Sequence, residues 1–396
     1  DDASPDPRVA ALAAVRGIRL VRRKENLGFL RSCNDAAQLA HGDLLMLLNN
    51  DTEVMPGAID AMAGLLLERQ DAGLVGARLL FPNCKQQEAG CIVWSDGSIW
   101  NYGRQDDPRK PEYCYRREVD YVSGAAIMLR RALWEQLGGF DEHFMPAYCE
   151  DSDLAFRVRA AGLKVFYQPK ACVIHHEGVS HGTDLRLGIK AHQTTNMPKL
   201  IARWRQTLQS DHLPNGRRVM RARDRSLHRK VTLVIDYRVP QPDHDAGSRS
   251  MLSLMDGLIE AGRVVKFFPA NRTATPGYTE ALQQRGIEVL YGPWCGSFNK
   301  WIAANGADID EVLLARPEIA EECFGPLRAH CRAPVVYYGH DLHHARLRGE
   351  ADVTHDPARR AEADVMESLE RRAWRAADLV LYPSEEEAEV VRALEP

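Results

Sequence analysis

Apolar positions in the first half of the chain follow two rhythms, short unbroken runs and stretches spaced three or four apart. Runs read as strands and spaced stretches as helices. GIRLVRR (17–23) predicts a strand and GFLRSCNDAAQLAHG (28–42) a helix. DLLMLLN (43–49) predicts a buried strand, and PGAIDAMAGLLLERQ (56–70) a helix with Pro56 at its first position. A further strand falls near 73–79. Such alternation predicts a mainly parallel sheet with helices on both faces. Residues 82–120 break the rhythm with Pro, Gly, Asp and paired short apolar runs, CIVW and SIWN, which predicts a hairpin excursion over the sheet. YVSGAAIMLRR (121–131) resumes a buried strand, and KVFYQP and ACVIHH (164–176) predict two short ones. Between them, Leu154, Ala155, Val158 and Ala161 share one helical face, with Gly162 at the stop.

The pattern changes near residue 205. RQTLQSDHLPNGRRVMRARDRSLHRK carries seven Arg or Lys against one Asp over positions 217–230. It reads as an interdomain linker or a solvated helix, with contact to a membrane surface or lipid-linked phosphate as the sharper alternative. A second alternation follows. VTLVIDYRV (231–239) leads into a Gly-containing loop and a helix at 251–261; further strands are predicted at 264–270, 286–292, 310–316, 333–341 and 377–384. The expected organisation is an α/β domain over 1–205, a basic linker over 206–230 and a second, Rossmann-like α/β domain over 231–396.

Composition narrows the classes. At 396 residues, two domains are the prior; 45% apolar and 27% charged residues describe a globular chain. No run approaches the roughly 18 apolar residues of a membrane span. The opening DDASPDPR has neither a basic n-region nor an apolar h-region, so no leader is predicted and the expected location is cytoplasmic. A net charge of −4 argues against a general nucleic-acid binder. Nine cysteines without a C-x-x-C pair suit reduced thiols.

Three features carry candidate chemistry. In YCEDSDLAFRVRAAG (148–162), Glu150, Asp151 and Asp153 crowd the start of a helix. Close like charges raise one another's pKa or need a cation nearby, which suits a general base; acids in a first turn also simply favour the helix dipole. After the apolar run Leu44–Leu48 come Asn49, Asn50 and Asp51. Ligands of α/β sheets bind beyond strand ends, where an Asp can hold a phosphate-bridging divalent cation; the same triplet also suits a plain turn. His175 and His176 end another apolar run, and an imidazole can complete an Asp-based site for Mg²⁺ or Mn²⁺ or serve structure alone.

The ordered set DDASPD (1–6), ENLGFLRSCNDAA (25–37), LLNNDTEVMPG (47–57), VSGAAIMLRR (122–131), GGFDEHF (138–144), EDSDLAFRVRAAG (150–162) and HHEGVSHG (175–182) resembles the family 2, GT-A fold glycosyltransferases. The likeness is greatest to rhamnosyltransferase-like bacterial enzymes of surface polysaccharides. It implies an inverting, metal-dependent transfer from a nucleotide-sugar donor to a glycan or lipid-linked oligosaccharide acceptor, as in O-antigen or capsule synthesis. By position it implies that Asp1 and Asp2 contact the base and that Asn26, Gly28 and Asn34 line the nucleotide. Asn49, Asn50 and Asp51 fill the D-x-D position, with Asn49 where the family has its first Asp. Asp51 is then the metal ligand, helped by His175, with His176 as alternative; Gly178 and Ser180 complete the His motif. Asp151 matches the base. Glu150 falls to orienting the acceptor or Arg157, and Asp153 to supporting the helix start. The family's first strand would precede Asp1, so the sequence reads as a piece of a longer protein.

VTLVIDYRVPQPDHDAGSRS, YYGHDLHHARLR (337–348) and ERRAWRAADLVLYPSEEEAEVV (370–391) are similar to the N-terminal Rossmann-like domain of family 4, GT-B glycosyltransferases. Gly247 would open the first strand–helix turn, where a glycine lets backbone approach a ligand. His340, Asp341, His343 and His344 look like a metal cluster by composition, or like a strand-end loop that holds sugar hydroxyls. Two other functions compete. One is a sugar nucleotidyltransferase, which releases pyrophosphate instead of a nucleoside diphosphate. The other is a non-catalytic glycan-binding scaffold.

Overall fold

Two sheets organise the chain. The computed structural model describes residues 1–177 and 191–395. These divide into a first unit, Asp1–Arg109 with Arg117–Leu227, and a second, Lys110–Arg116 with His228–Pro396.

The first unit contains α1 (Phe29–Gln38), β1 (Leu44–Leu48), β2 (Thr52–Val54), α2 (Ala58–Glu68), β3 (Ala72–Leu80), β4 (Gln86–Glu88), β5 (Cys91–Val93), β6 (Ile99–Asn101), β7 (Arg117–Glu118) and β8 (Ala126–Arg130). It continues through α3 (Arg131–Leu137), α4 (Glu150–Ala160), β9 (Lys164–His175), α5 (Ala191–Asp211) and α6 (Val219–Arg223). Its main sheet runs β1-β8-β3-β9-β2, with β4 on β3 and β7 on β9. The α/β class is as expected, but this sheet is mixed. β3 and β9 pair in parallel, while β8 lies antiparallel to both β1 and β3.

α2 shows how the core forms. Gly57, at φ 79, is its N-cap, and Ala58, Met62, Leu65 and Leu66 recur on one face. That face packs on Val75 and Ala77 of β3, Met128 of β8 and Phe166 and Val173 of β9. Burying each large side chain contributes ~1.5–3 kcal/mol. Gly76 matters for the site: a Cβ there would sit 2.2 Å from Val122 Cβ, so only glycine lets the 121–124 segment lie against β3.

Three expectations change. Residues 17–23 form no strand. Ile18 and Val21 are exposed, and the backbone meets Asp1, which donates to the Val21 carbonyl at 2.8 Å and accepts from the Arg23 N–H at 3.0 Å, a pairing too short to make a strand without a covering layer. The two strands expected at 164–176 are the single strand β9. Its register on β3 shifts where Gln168 and Cys172 meet the consecutive Ala77 and Arg78, with Pro169 in the bulge. Residues 206–227, expected as linker, fold inside the first unit. There the buried Asp120 faces Arg159 at 3.2 Å, His212 at 3.5 Å and Arg225, a partner 105 positions away. The hairpin expected within 82–120 is β5–β6.

In the second unit come β10 (Val231–Asp236), α7 (Ala246–Glu260), β11 (Val264–Pro269), α8 (Tyr278–Gln284), β12 (Glu288–Val289), α9 (Phe298–Asn305) and β13 (Glu311–Ala315). α10 (Pro317–His330), β14 (Val335–Tyr338), α11 (His343–Thr354), α12 (Pro357–Ala376), β15 (Leu379–Leu381) and α13 (Glu385–Leu394) complete it. Its six strands run β12-β11-β10-β13-β14-β15, all parallel. This is the doubly wound order with its switch point beside β10. No helix of the described residues is long and apolar enough to cross a membrane.

Candidate functional site

A cavity of about 610 Å³ opens in the first unit over the ends of β1 and β9 and the start of α4. Asn49, Asp51, Gln87, Glu88, Glu150, Asp151 and His175 are among the residues that line it. The sequence-predicted acid at a strand end, acid at a helix start and His at a strand end therefore share one space.

At the α4 side, Tyr148 and Cys149 both hold φ near 73, a strained conformation for side chains with a Cβ, at the cavity wall. The turn points the first residues of α4 inward. Asp151 Oδ2 accepts the Gly124 N–H at 3.0 Å, and its Oδ1 accepts the Ser152 N–H at 2.7 Å. Burial nevertheless raises its pKa above the ordinary carboxylate value. Glu150 Oε2 is buried with no hydrogen-bond partner. Burial, then the charge of Asp151, pushes Glu150 up to about 8, so it holds a proton at neutral pH. Asp153 is sorted differently: fully buried, it accepts from Arg157 Nε at 2.6 Å, Arg203 at 3.0 Å and Trp204 Nε1 at 2.9 Å. It ties α4 to α5.

At the β9 side, Thr52 of β2 pairs with His175, which sets Asp51 beside the imidazole. His175 Nε2 lies 3.3 Å from Asp51 Oδ1. Gln87 fixes the ring. Its Nε2 donates to Glu177 Oε2 at 3.1 Å, which leaves its Oε1 to face His175 Nδ1 at 3.1 Å. A carboxylate can only accept, so the amide is oriented, and Nδ1 must be the nitrogen that donates. Burial lowers the His175 pKa. The neutral ring then turns a bare Nε2 lone pair toward a carboxylate oxygen. Two acceptors facing at this distance suit a cation between them, and a neutral His with its second nitrogen held is the usual form of a metal ligand. The pair fits a divalent cation by this test. Among the described residues, no group of three or more His, Cys, Asp or Glu is placed to hold a metal alone.

Other expected residues lie elsewhere. His176 does not line the cavity: its Nε2 meets the exposed Glu53 at 2.6 Å, while its N–H donates to the Asp51 carbonyl. Asn50 is exposed in the turn after β1. Asn34 spends its amide on Phe140, donating to the carbonyl at 2.8 Å and accepting the N–H at 2.9 Å, so it holds the 138–144 loop. Asp2 accepts the N–H groups of Leu27 and Gly28 at 2.9 and 2.7 Å, and Asn26 also accepts from Gly28 at 3.1 Å. Asp1 pairs with Arg22 at 3.0 Å. Gly28, at φ 87, brings its backbone close to the Pro146 carbonyl, and Phe29 beside it lines the cavity. Gly178 and Ser180 lie outside the described residues.

Gln87 and Glu88 were missed. They sit on the three-residue β4, inside what reads as an irregular excursion. The signal available was a polar Gln-Gln-Glu triplet just before the apolar run of β5, a set of side chains that is costly to bury without a purpose.

In the second unit, Arg316 meets Asp236 at 2.7 Å and His340 lies 3.6 Å from Asp236 at the strand ends. A Cβ on Gly247 would come within 3.2 Å of His340 Nδ1, so the glycine leaves room for the His340 ring. His343 and His344 are instead engaged with the fully buried Glu370, which accepts both of their N–H groups at 2.9 and 3.1 Å.

The first unit is a mixed α/β unit with a strand-end Asp–His pair opposite a buried carboxylate. Residues 1–137 match the profile of the family described as "Glycosyl transferase family 2". Over those residues the first unit is similar to family 2 glycosyltransferases. The O-antigen biosynthesis protein RfbC of Myxococcus xanthus is 36% identical over 159 residues, 38% of this chain and 12% of that protein. The N-acetylglucosaminyl-diphospho-decaprenol L-rhamnosyltransferase of Mycobacterium tuberculosis (strain CDC 1551 / Oshkosh) is 29% identical over 232 residues, 50% of this chain and 73% of that protein. The chain therefore spans only a small part of the first of these relatives and most of the second. A solved structure, GalNAc-T7 with UDP, GalNAc and Mn²⁺, aligns at 14% identity with a TM-score of 0.34 over 39% of this chain and 31% of that one.

Proposed function

We propose that the first unit transfers a sugar, with inversion, from a nucleoside diphosphate sugar to a hydroxyl of a glycan or lipid-linked oligosaccharide in bacterial surface-polysaccharide synthesis, at the cytoplasmic side of the membrane. The observation that carries this reading is the common cavity of Asp51, His175 and Asp151, with the family match behind it.

Asp151 is the base. It takes the proton of the acceptor hydroxyl as that oxygen bonds to the anomeric carbon. The bond from that carbon to the phosphate oxygen breaks on the opposite face, so one displacement inverts configuration. Its raised pKa makes it a stronger base than an exposed Asp. Glu150, holding its proton, can donate a hydrogen bond to the acceptor without adding charge. Asp51 and His175 would hold Mg²⁺ or Mn²⁺, with Asn49 lining the same wall. When bound, the cation offsets the charge that develops on the departing diphosphate. Gln87 keeps the His175 ring in place and Arg104, paired with Glu177 at 2.8 Å, keeps Gln87's partner in place. For the second unit, the parallel order and the Gly247–His340 approach support a domain of the family 4, GT-B kind.

The test is a product assay with a panel of nucleotide sugars, with and without Mn²⁺. Transfer predicts release of a nucleoside diphosphate, and Asp151→Asn should cut turnover by at least roughly a hundredfold while leaving donor binding. Release of pyrophosphate, or full turnover by the Asn variant, overturns the reading.

A further inference from the structure

The turn at residues 123–124 has two adjacent N–H groups, and they go to two different carboxylates. The Ser123 N–H donates to Glu88 Oε1 at 3.0 Å, and the Gly124 N–H to Asp151 Oδ2 at 3.0 Å. Two consecutive peptide groups therefore hold an acid from β4 and an acid from α4 side by side on the cavity wall. Glu88 is 1% exposed, yet it lines the cavity, and the Asn101 amide reaches its other oxygen only at 3.4 Å. Gly76 makes the arrangement possible, since it admits the 121–124 segment against β3.

We propose that Glu88 is a positioning residue for the transfer: paired with Asp151 through the Ser123–Gly124 turn, it sets how strongly Asp151 holds a proton. The proposal rests on the reading of Asp151 as base. Two carboxylates in one water-poor space cannot both ionise freely, so the charge of one raises the proton affinity of the other. Among the described residues, the groups facing this pair include Glu150 on α4, Tyr148 and Cys149 just before it, Cys91 on β5, Tyr121 before β8 and Arg104 after β6. Of these only Arg104 is cationic, and it is turned to Glu177. Burial, with the Asp151 charge adding to it, moves Glu88 up to about 7, so the pair changes charge within the working range. While Glu88 is ionised, Asp151 is more basic and takes the acceptor proton more readily. Nothing else is consumed: the proton stays on Asp151 until solvent removes it after product leaves.

The experiment is the pH profile of donor-saturated turnover for the intact chain, Glu88→Gln and Glu88→Asp. Gln still accepts the Ser123 N–H, so a residue that only held the turn would leave the profile unmoved. The expected result for Glu88→Gln is loss of the rise in turnover that accompanies Glu88 ionisation near pH 7, with turnover at pH 8 down roughly three- to tenfold, the limb at lower pH in place and KM for donor unchanged. Glu88→Asp, which keeps the charge, should restore most of that rise. A rise near pH 7 retained in Glu88→Gln, or a change confined to KM, overturns the proposal. If Glu88→Gln does not fold, ¹³C carboxyl NMR of the unsubstituted protein reads the same pair. Coupled two-step titrations of Glu88 and Asp151 support the proposal and independent single-step curves overturn it. Failure of the base reading is separate: it shows as turnover by Asp151→Asn, whatever Glu88→Gln does.

Discussion

Asp153→Asn separates the acids at the head of α4. The side chain is fully buried and takes three donors, from Arg157, Arg203 and Trp204, at 2.6, 3.0 and 2.9 Å. Replacing one oxygen by an NH₂ turns a donor toward a donor and removes the charge that two guanidinium groups share. Breaking a buried pair costs ~3–5 kcal/mol. The lower end applies here. Arg157 keeps the carbonyls of Leu137 and Gly139 at 2.8 and 2.9 Å, and Arg203 keeps Asp141 at 2.7 Å. Both arginines are also partly exposed, at 17% and 33%, and water can compensate them. A loss of about 3 kcal/mol in a unit of this size lowers the unfolding midpoint by ~6–12 °C. The assay is thermal unfolding beside turnover at a temperature well below both midpoints. The variant should be less stable and still active. A midpoint within ~2 °C of the parent, together with a turnover loss above roughly tenfold, would show that Asp153 acts in the chemistry and would refute the sorting of the three acids.

Two further outcomes follow. Gln87→Leu frees the His175 ring, so Mn²⁺ affinity in the presence of a nucleoside diphosphate should fall ~10–100-fold by titration, and an unchanged affinity would sink the argument about ring orientation. Glu150 has a folded pKa raised from 4.5 to about 8, so the folded chain retains a proton the unfolded chain has lost between those values. Its contribution falls as pH rises through that window, and Glu150→Gln should flatten the decline in unfolding midpoint from pH 5 to 8. Parallel pH curves for parent and variant would refute it.

Much of the site was legible in the sequence because each piece ends a periodic run. Asp51 follows Leu44–Leu48, His175 ends β9, and Asp151 opens the helix that Leu154 and Val158 define. What stayed hidden depends on partners far along the chain. Arg225 reads as part of a solvated basic stretch until Asp120 is placed beside it. Asn34 reads as a ligand-facing amide until Phe140, 106 positions on, takes both of its ends. β4 has three residues, too few to carry a period, so Gln87 and Glu88 had no rhythm to announce them. The antiparallel entry of β8 was hidden for a similar reason, since a fully buried strand reads alike in either direction.

The bulge in β9 makes one strand behave as two rulers laid end to end. Residues up to Gln168 are counted off against β3, whereas Cys172 to Ile174 resume on β3 beyond the shift and His175 is checked again by Thr52 of β2. The residues between, 169–171, are measured by neither. A deletion before Gln168 turns alternate core side chains toward the wrong face. Within 169–171 the chain is not free either, since Ala171 is buried in the core, but the pairing of Thr52 with His175 sets the far end of the strand independently of the near one. The spacing of Asp51 and His175 thus rests on the β2 pairing rather than on one continuous count along β9.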